Sequence, residues 1–221
     1  MKAMILAAGR GERLRPLTDR IPKPLLPVAG EALIVQQIRW LRRAGITDIV
    51  VNLHHLGAQI EERVGRGHDL GAEVRYSHEA TLLDTGGGVR AALPLLGPAP
   101  FLVLNGDIWT NYPFRQLTGL TPETGHLVLT PKPVHRETAD FALVNDRVQR
   151  NGNDNDDLIF TGIAVLNPAL FDTAPAGPFN IAHGLYFDAA AAGRLTGEVF
   201  HGTWFDIGSP GQLKAVRRLT D

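Results

Sequence analysis

Residues 3–28 of the chain read AMILAAGRGERLRPLTDRIPKPLLPV. The short apolar run at the start of this stretch has no polar interruption and predicts a buried β-strand. The strand leads directly into Gly9 and Gly11, and glycines at this spacing let the backbone turn sharply and present uncovered N–H groups. Arg13, Arg15 and Lys23 add cations beside the same loop. A strand, a bare turn and these cations together predict a polyphosphate-binding site.

Three phosphate-binding motifs compete for this stretch. A Rossmann dinucleotide loop requires a third glycine, and the chain has Leu14 at that position. A Walker loop has the motif Gly-x-x-x-x-Gly-Lys-Ser/Thr, which this stretch lacks. The third motif is Leu-x-x-Gly-x-Gly-x-Arg-Leu-x-Pro-Leu-Thr followed by Pro-Lys-Pro-Leu, which the chain matches nearly residue for residue. So long a match disfavours a purely structural glycine turn with solvated cations.

The third motif is the signature of the sugar-1-phosphate nucleotidyltransferases, and the chain resembles that family from its first strand to its last helix. Within the family it most resembles the short N-acetylmuramate-1-phosphate uridylyltransferases of peptidoglycan recycling. The resemblance implies an α/β fold: one Rossmann-like, mainly parallel sheet sandwiched by helices, with a β-rich sugar-binding lobe. It implies one nucleotidyltransferase domain over residues 1–221, with a mainly nucleotide-binding half at 1–111 and a mainly sugar- and metal-binding half at 112–221.

Composition narrows the function class. The 221 residues carry a formal net charge of −1, which argues against nucleic acid as a partner. The chain has no cysteine, which excludes disulfides, thiolate catalysis and cysteine zinc sites. It shows neither a basic-then-apolar leader nor an apolar stretch of membrane length. We therefore expect a cytoplasmic protein with no membrane partner, and no protein partner is indicated.

Apolar runs alternate with amphipathic segments along the chain. Strands are predicted from residue 3 and at 48–53, 73–77, 101–104, 126–130, 158–166 and 198–206. Helices are predicted at 32–44 and 57–64, after Gly88 through Leu96, and at 112–117, 179–192 and 211–219, with a hairpin tip at 145–157. Alternating strands and helices predict parallel strands joined by right-handed crossovers. Ligands of such sheets gather at the carboxyl ends of the strands, where the opening glycine loop lies.

The segment after the third predicted strand reads HEATLLDTGGG over residues 78–88. Successive glycines are poor helix formers, so we expect a loop whose backbone is closely approached, with a loose loop as the alternative. The resemblance implies that Glu79 and Asp84 lie at the nucleobase edge and that Gly86 and Gly87 lie near the nucleoside. A carboxylate or carbonyl accepts from uracil N3–H or from guanine N1–H and its amino group. The residue types leave both bases open, and the resemblance favours uracil.

Two aspartates follow strands that lie far apart in the sequence. Asp107 comes after the strand at 101–104, where an Asn-Gly turn with a helix cap is the alternative interpretation. Asp206 ends the last strand, where it is otherwise only a turn acid. The resemblance implies that both aspartates bind a metal, that Asp206 also contacts substrate, and that Asn105 lies beside the sugar. Carboxylate oxygens are hard ligands of the kind that Mg²⁺ takes.

The acceptor-sugar region departs from the family patterns. The Glu-Lys-Pro motif, whose lysine contacts the sugar phosphate in most of the family, is missing. The uridylyltransferase branch instead resembles Asn-Pro-x-His-His-Pro-x-Gly-Asp-Phe, of which this chain keeps Pro133, His135, Asp140 and Phe141 and changes Lys132, Arg136, Glu137 and Ala139. The resemblance places Asp140, Phe141 and Gly162 at the sugar. N-acetylmuramate carries a lactyl carboxylate, so we also expect a cation or donor near the sugar, with Lys132, His135 and Arg136 as candidates.

The resemblance implies transfer of UMP from UTP to N-acetylmuramate 1-phosphate, with Mg²⁺ as cofactor. Arg13, Lys23 and Asp107 are the implied catalytic residues: Arg13, and with it Arg15, would hold the leaving pyrophosphate, and Lys23 would bridge the two phosphates. The implied nucleotide-binding residues are Ala8, Gly9, Gly11, Arg13, Lys23, Glu79, Asp84, Gly86 and Gly87. The alternatives are mannose-1-phosphate guanylyl transfer, another sugar-1-phosphate nucleotidyl transfer, and a non-catalytic nucleotide-sugar sensor. Leu14 disfavours an NAD-dependent oxidoreductase.

Overall fold

The computed structural model describes residues 1–134, 136–150 and 157–220. Its strands are β1 (Ala3–Leu6), β2 (Pro27–Val28), β3 (Glu31–Ala32), β4 (Asp48–Leu53), β5 (Glu73–His78), β6 (Phe101–Asn105), β7 (Ile108–Thr110), β8 (Gly125–Pro131), β9 (Ala142–Val144), β10 (Arg147–Gln149), β11 (Leu158–Leu166), β12 (Leu195–Val199) and β13 (Trp204–Asp206). Its α-helices are α1 (Leu33–Arg43), α2 (Gly57–Val64), α3 (Asp84–Leu96), α4 (Phe187–Ala191) and α5 (Pro210–Thr220).

Short 3-10 and π turns complete the helical structure. The 3-10 turns cover Glu12–Leu14, Leu17–Asp19, Lys23–Leu25, His68–Leu70, Phe114–Leu117 and Pro168–Phe171. A π-helical turn at Ala182–Tyr186 leads directly into α4. Among the helices of the described residues, none is long and apolar enough to cross a membrane.

One nine-stranded sheet, in the order β5-β4-β1-β6-β11-β8-β12-β10-β9, forms the centre of the fold. The first four strands in this order are parallel to one another. β11 is antiparallel to both β6 and β8, β12 runs parallel to β8, and β10 is antiparallel to β12 and β9. Most strands therefore share one direction, which confirms the predicted mainly parallel α/β fold with a β-rich second half.

Helices cover both faces of this sheet. Successive side chains of a strand point to opposite faces, so alternate residues of β1 pack against different helices. Ala3 and Ile5 of β1 pack in one cluster with α1 and α2, while Met4 packs in the opposite cluster with α3 and α4. All three of these strand residues are fully buried. β1 thus has an apolar side chain at every position, as a strand covered on both faces requires.

Several element boundaries differ from the sequence predictions. The glycine triplet was expected in a loop, and the structure places it inside the first turns of α3. Only a 3-10 turn at Phe114–Leu117 occupies the predicted short helix at 112–117, and the predicted helix at 179–192 is a π turn followed by the short α4. The hairpin tip predicted at 145–157 is a two-residue turn between β9 and β10, and residues 151–156 lie outside the described residues.

A polar cluster joins β8 and β12 to the segment after β7. The Glu198 carboxylate accepts hydrogen bonds from the Tyr112 hydroxyl and the Gln116 amide. His126 Nε2 lies 3.6 Å from Glu198 Oε2. His126, followed by Tyr112 and Gln116, lowers the pKa of Glu198 below its ordinary value of 4.5, although partial burial opposes them. Burial, and then the contact with Glu198, raises the pKa of Tyr112.

We expect Glu198→Gln to reduce the free energy of unfolding by about 1 kcal/mol at pH 7, because it removes a charged acceptor from a half-buried cluster. A carboxyl group whose pKa is lowered on folding stabilises the protein above its unfolded-state pKa, and this contribution is lost as the pH falls through the folded-state value. The difference between wild type and variant, measured by urea denaturation, should therefore shrink below about pH 4.5. Glu62→Gln, at an exposed position of α2, is the matched control. A difference independent of pH would contradict this account.

Candidate active site

The glycine loop leaves the carboxyl end of β1 and is fixed by buried polar groups. Ala7 N donates to Asn52 Oδ1 at 2.8 Å, and Asn52 Nδ2 donates to Glu79 Oε1 at 2.7 Å. Further along the loop, Thr18 Oγ1 donates to Gly11 O at 2.8 Å. The loop is therefore held in position by its own contacts before any ligand binds.

Apolar packing ties the loop to the C-terminal helix. Leu14 and Leu26 are buried in one cluster with Ile207, Leu213 and Val216, the last two of which belong to α5. The loop and α5 are thus two sides of one small core. This packing brings the cationic residues of the loop next to the segment that follows β13.

Asp107 lies just past β6, where the chain passes very close to the end of β1. Gly106 N donates to Leu6 O at 2.9 Å, and a Cβ at Gly106 would lie 2.4 Å from the same oxygen. Only glycine fits at this position, which explains the Asn-Gly-Asp sequence. The buried Gln37 fixes the same turn, because its Nε2 donates to the carbonyl oxygens of Asn105 and Ile108.

Lys23 and Asp107 form an ion pair at the mouth of the loop. Lys23 Nζ lies 2.6 Å from Asp107 Oδ2, and the two side chains are 17% and 21% exposed. A charge-assisted hydrogen bond of this kind fixes both groups in direction. The pair therefore presents a cation and an acid together at the end of β6.

Asp206 lies beside Asp107 because β13 pairs with β7. Ile108 is opposite Asp206 in this antiparallel pair, and Ile207 N donates to Asp107 O at 2.8 Å. Burial, followed by the neighbouring Asp107 carboxylate, raises the pKa of Asp206 above its ordinary value of 3.8, while Lys23 and Arg13 act to lower it. The structure thus brings together the two aspartates that the sequence predicted as metal ligands.

The donor set at this point fits a hard cation. Asp206 Oδ1 is buried and has no hydrogen-bond partner among the residues that the structure describes. No cluster of three or more His, Cys, Asp or Glu side chains with metal-binding geometry occurs within residues 1–134, 136–150 and 157–220. Two carboxylates alone suit Mg²⁺, because that ion takes its remaining ligands from phosphate oxygens and water.

Arg13 reaches the same place from the other side of the loop. A Cβ at Gly208 would lie 2.3 Å from Arg13 Nη2, so the guanidinium crosses directly over this glycine. The Cβ would also lie 3.2 Å from Asp206 Oδ1. Arg15 turns away instead and pairs with Asp19, with 3.1 Å between Arg15 Nε and Asp19 Oδ1. Of the two arginines predicted to bind pyrophosphate, Arg13 is the one beside the aspartates.

Two cavities meet at Asn105 and Asp107. The first, called the nucleotide pocket here after its predicted role, has a volume of about 270 Å³, and its wall includes the start of the glycine loop, Lys23, Asn52 and Asp84. The second, called the sugar pocket, has a volume of about 260 Å³ and contains Asp140, Gly162 and Asp206. Both cavities include Asn105 and Asp107 in their walls. The site can therefore hold two ligands in contact at Asp107.

Comparison with known proteins identifies the family of this chain. Residues 2–146 match the family model described as Nucleotidyl transferase. The chain is 43% identical to the N-acetylmuramate alpha-1-phosphate uridylyltransferase of Neisseria meningitidis serogroup B, with 99% of this chain and 98% of that protein covered. It is 33% identical to the protein of the same name from Caulobacter vibrioides, with 99% and 97% covered. The chain belongs to the nucleotidyl transferase family.

More distant proteins support the same family and fold. Several mannose-1-phosphate guanyltransferases are 29% to 32% identical to this nucleotidyl transferase over 95% of its length, which corresponds to 61% or 62% of theirs. The solved structure of the inositol-1-phosphate CTP transferase from T. maritima superposes with a TM-score of 0.83 at 20% identity, covering 99% of this chain and 94% of that one. This structural likeness shows the shared fold.

The residues predicted at the nucleobase divide into two groups. Asp84 lies in the wall of the nucleotide pocket, as do Ala8 and Gly9. Glu79 is buried, and its oxygens accept from Asn52 Nδ2 and from Leu83 N at 2.9 Å, so in this structure it supports the loop after β5. Direct contact of Glu79 with the base stays a prediction.

The glycine triplet of this nucleotidyl transferase packs against its own chain. Gly86 N donates to Phe179 O at 2.9 Å, and a Cβ at Gly86 would collide with the Phe179 ring. Gly87 is similarly crowded by the Gly177 carbonyl. The close approach that the sequence predicted is therefore made by residues 177–179, and contact of Gly86 and Gly87 with the nucleoside stays a prediction.

The residues predicted at the sugar lie together in one cavity wall, and their contact with a sugar stays a prediction. Asp140 and the buried Phe141 line the sugar pocket together with Gly162. Gly162 has a positive φ of 83° within a β-bulge of β11, and a Cβ there would lie 2.8 Å from the Asn105 side chain. The glycine thus leaves room for Asn105 at the boundary of the two pockets.

Sequence reasoning missed Asn52 and Gln37, which orient the loops of this nucleotidyl transferase. Each interrupts an apolar pattern: Asn52 is a polar residue in β4, and Gln37 lies among the buried residues of α1. A buried polar side chain is retained when it satisfies backbone groups. Both interruptions were visible in the sequence, but nothing there indicates which backbone groups they contact.

We expect Asp206→Asn to unfold about 2–4 °C above the wild type when divalent cations are removed with EDTA. The neutral amide relieves the repulsion from Asp107 and the burial of a charge, worth about 1 kcal/mol in a chain of this size. Thermal unfolding followed by circular dichroism at pH 7 measures the shift. Asp188→Asn, at an exposed position of α4, is the control. A melting temperature below that of the wild type would show that the Asp206 carboxylate stabilises the fold.

Proposed function

We propose that the protein transfers UMP from UTP to N-acetylmuramate 1-phosphate, giving UDP-N-acetylmuramate and pyrophosphate. The observation that carries this proposal is the junction of the two pockets at Asp107 and Asn105. The 43% identity to a uridylyltransferase over nearly the whole chain supports the choice of substrates. In this proposal residues 1–111 mainly bind the nucleotide and residues 112–221 mainly bind the sugar, and the reaction serves cell-wall recycling in the cytoplasm.

The reaction needs positioning more than proton transfer. An oxygen of the sugar 1-phosphate forms a bond to the α-phosphorus of UTP, the bond from the α-phosphorus to the oxygen bridging to the β-phosphate breaks, and pyrophosphate leaves with the electron pair. The second pKa of a phosphate monoester is about 6, so the attacking oxygen is already ionised at neutral pH. No general base is required, and the protein's task is to hold two anions in line.

Residues of this chain supply the cations and acids for that task. Lys23, paired with Asp107 at the junction, would contact both the α-phosphate and the incoming phosphate. Arg13, which crosses Gly208 beside Asp206, would hold the leaving pyrophosphate. Asp107 and Asp206 would hold Mg²⁺. When bound, this ion supplies positive charge that offsets the repulsion between the two polyanions.

A matrix of nucleotides against sugar phosphates tests this assignment. The matrix combines UTP, GTP, CTP and dTTP with the 1-phosphates of N-acetylmuramate, N-acetylglucosamine, mannose and glucose. We expect the fastest pyrophosphate release from UTP with N-acetylmuramate 1-phosphate. Coupled detection of pyrophosphate gives kcat/KM for each pair. Preference for GTP with mannose 1-phosphate would replace the assignment with a guanylyltransferase. Tight nucleotide-sugar binding without pyrophosphate release would identify a sensor.

We expect Asp107→Asn to lower kcat about 10³-fold, because it removes one of two acids at the metal position and the partner of Lys23. Circular dichroism should show an unchanged fold. Asp172→Asn, at an exposed position after β11, should retain the wild-type rate. A near-normal rate for Asp107→Asn at saturating Mg²⁺ would remove Asp107 from the reaction centre.

A further inference from the structure

The charge lining the sugar pocket is unusual for a site that takes an anionic substrate. Three carboxylates, Asp107, Asp140 and Asp206, line this pocket. Of the described residues in its wall, Arg136 is the one with a permanent positive charge. Asp107 and Asp206 lie next to Lys23 and Arg13 at the phosphate end. Among the described residues, the wall of this pocket therefore relies on Arg136 for permanent positive charge.

The proposed acceptor brings a second anionic group into this pocket. N-acetylmuramate 1-phosphate carries a phosphate at C1 and a carboxylate on the lactyl ether at C3, on different sides of the ring. A carboxylate removed from water requires a charged or hydrogen-bonding partner. An arginine guanidinium matches a carboxylate with two parallel N–H donors, and additional acids alone would repel it.

Arg136 is held at the pocket by its neighbour Asp140. Arg136 Nη1 lies 3.3 Å from Asp140 Oδ2, and that same oxygen accepts from Phe160 N at 3.3 Å. The Asp140 carboxylate is thereby tied to β11 while it holds one edge of the guanidinium. The Arg136 side chain remains 44% exposed. A planar guanidinium held on one edge keeps N–H donors on its other edges for a ligand.

The other cations considered for this role differ in position. Lys132 Nζ donates to Arg136 O at 2.8 Å, so this lysine supports the backbone of Arg136. Lys132 is also absent from the wall of the sugar pocket. His135, the third candidate from the sequence, lies outside the described residues. Arg136 is therefore the candidate for which the structure gives both charge and placement.

We propose that Arg136 binds the lactyl carboxylate of the acceptor sugar and that Asp140 orients the guanidinium for this contact. The assignment rests on the proposed function and specifies how the sugar pocket separates a muramyl phosphate from other hexosamine phosphates. The family pattern has histidine at the position of Arg136 and the aspartate at Asp140, so the contact is a property of this chain's own sequence.

The experiment compares two acceptors that differ only in the lactyl group. KM and kcat are measured with UTP for N-acetylmuramate 1-phosphate and N-acetylglucosamine 1-phosphate, in the wild type and in Arg136→Gln and Arg136→Lys. We expect Arg136→Gln to raise KM for the muramate substrate about 20-fold with a small change in kcat, and KM for the glucosamine substrate less than about 2-fold. Arg136→Lys should recover part of the loss, since it keeps the charge without the planar fork.

Matched controls separate specificity from folding. Arg147→Gln, at an exposed position of β10, should leave both KM values unchanged, and circular dichroism of Arg136→Gln should match the wild type. An equal rise in KM for both acceptors, or no rise for the muramate substrate, would overturn the assignment to Arg136 while the wild-type activity upholds the proposed function. Absence of wild-type turnover with N-acetylmuramate 1-phosphate would overturn both.

Discussion

The rest of this site depends on the backbone hydrogen bond from Ile207 N to Asp107 O. This bond holds the carboxylates of Asp107 and Asp206 next to each other, although the two residues are far apart in the sequence. Because β13 pairs with β7, the backbone position of Asp206 is fixed beside that of Asp107. Two partly buried acids repel each other, and the raised pKa of Asp206 reflects both its burial and that repulsion. The arrangement is stable only because other parts of the fold enforce it and cations lie beside it.

Packing at the C-terminus provides that enforcement. The small core formed by the glycine loop and α5 buries Leu14, Leu26 and Leu213. A core of this kind stabilises the fold through apolar burial, about 25 cal/mol for each Å² removed from water. The free energy gained by this apolar burial offsets the repulsion between the two aspartates that lie beside Arg13 and Lys23. The geometry of the site thus depends on an apolar cluster whose buried residues lie outside the walls of both pockets.

Buried amides do the finer positioning. Asn52 links the start of the glycine loop to Glu79, and Gln37 fixes the turn that carries Asp107. Each satisfies backbone or carboxylate groups that would otherwise be buried without partners. The two pockets therefore open on either side of a fixed turn, and they share Asn105 and Asp107 in their walls.

The sequence by itself determined the family and the alternating α/β plan, and it predicted the residues Lys23, Asp107 and Asp206 that the structure brings together. It did so because a glycine loop, Lys23 and strand-end acids form contiguous motifs whose chemistry is local. Gly162 lies at the bulge of β11, as a glycine inside a strand often does. Helix boundaries were less predictable: the glycine triplet lies in α3 because Phe179 caps and packs on it, and no local signal connects residues so far apart.

Only the tertiary structure decided which of the candidate residues share a surface. It placed Arg13 beside the aspartates, whereas Arg15 pairs with Asp19. The two side chains are chemically identical, so the sequence alone could not distinguish their positions. It enclosed Glu79 between Asn52 and Leu83, and it distinguished Arg136 from Lys132 at the sugar pocket. These three cases have the same physical reason. The sequence gives the charge of a side chain, but long-range packing and strand pairing determine which residues lie next to it.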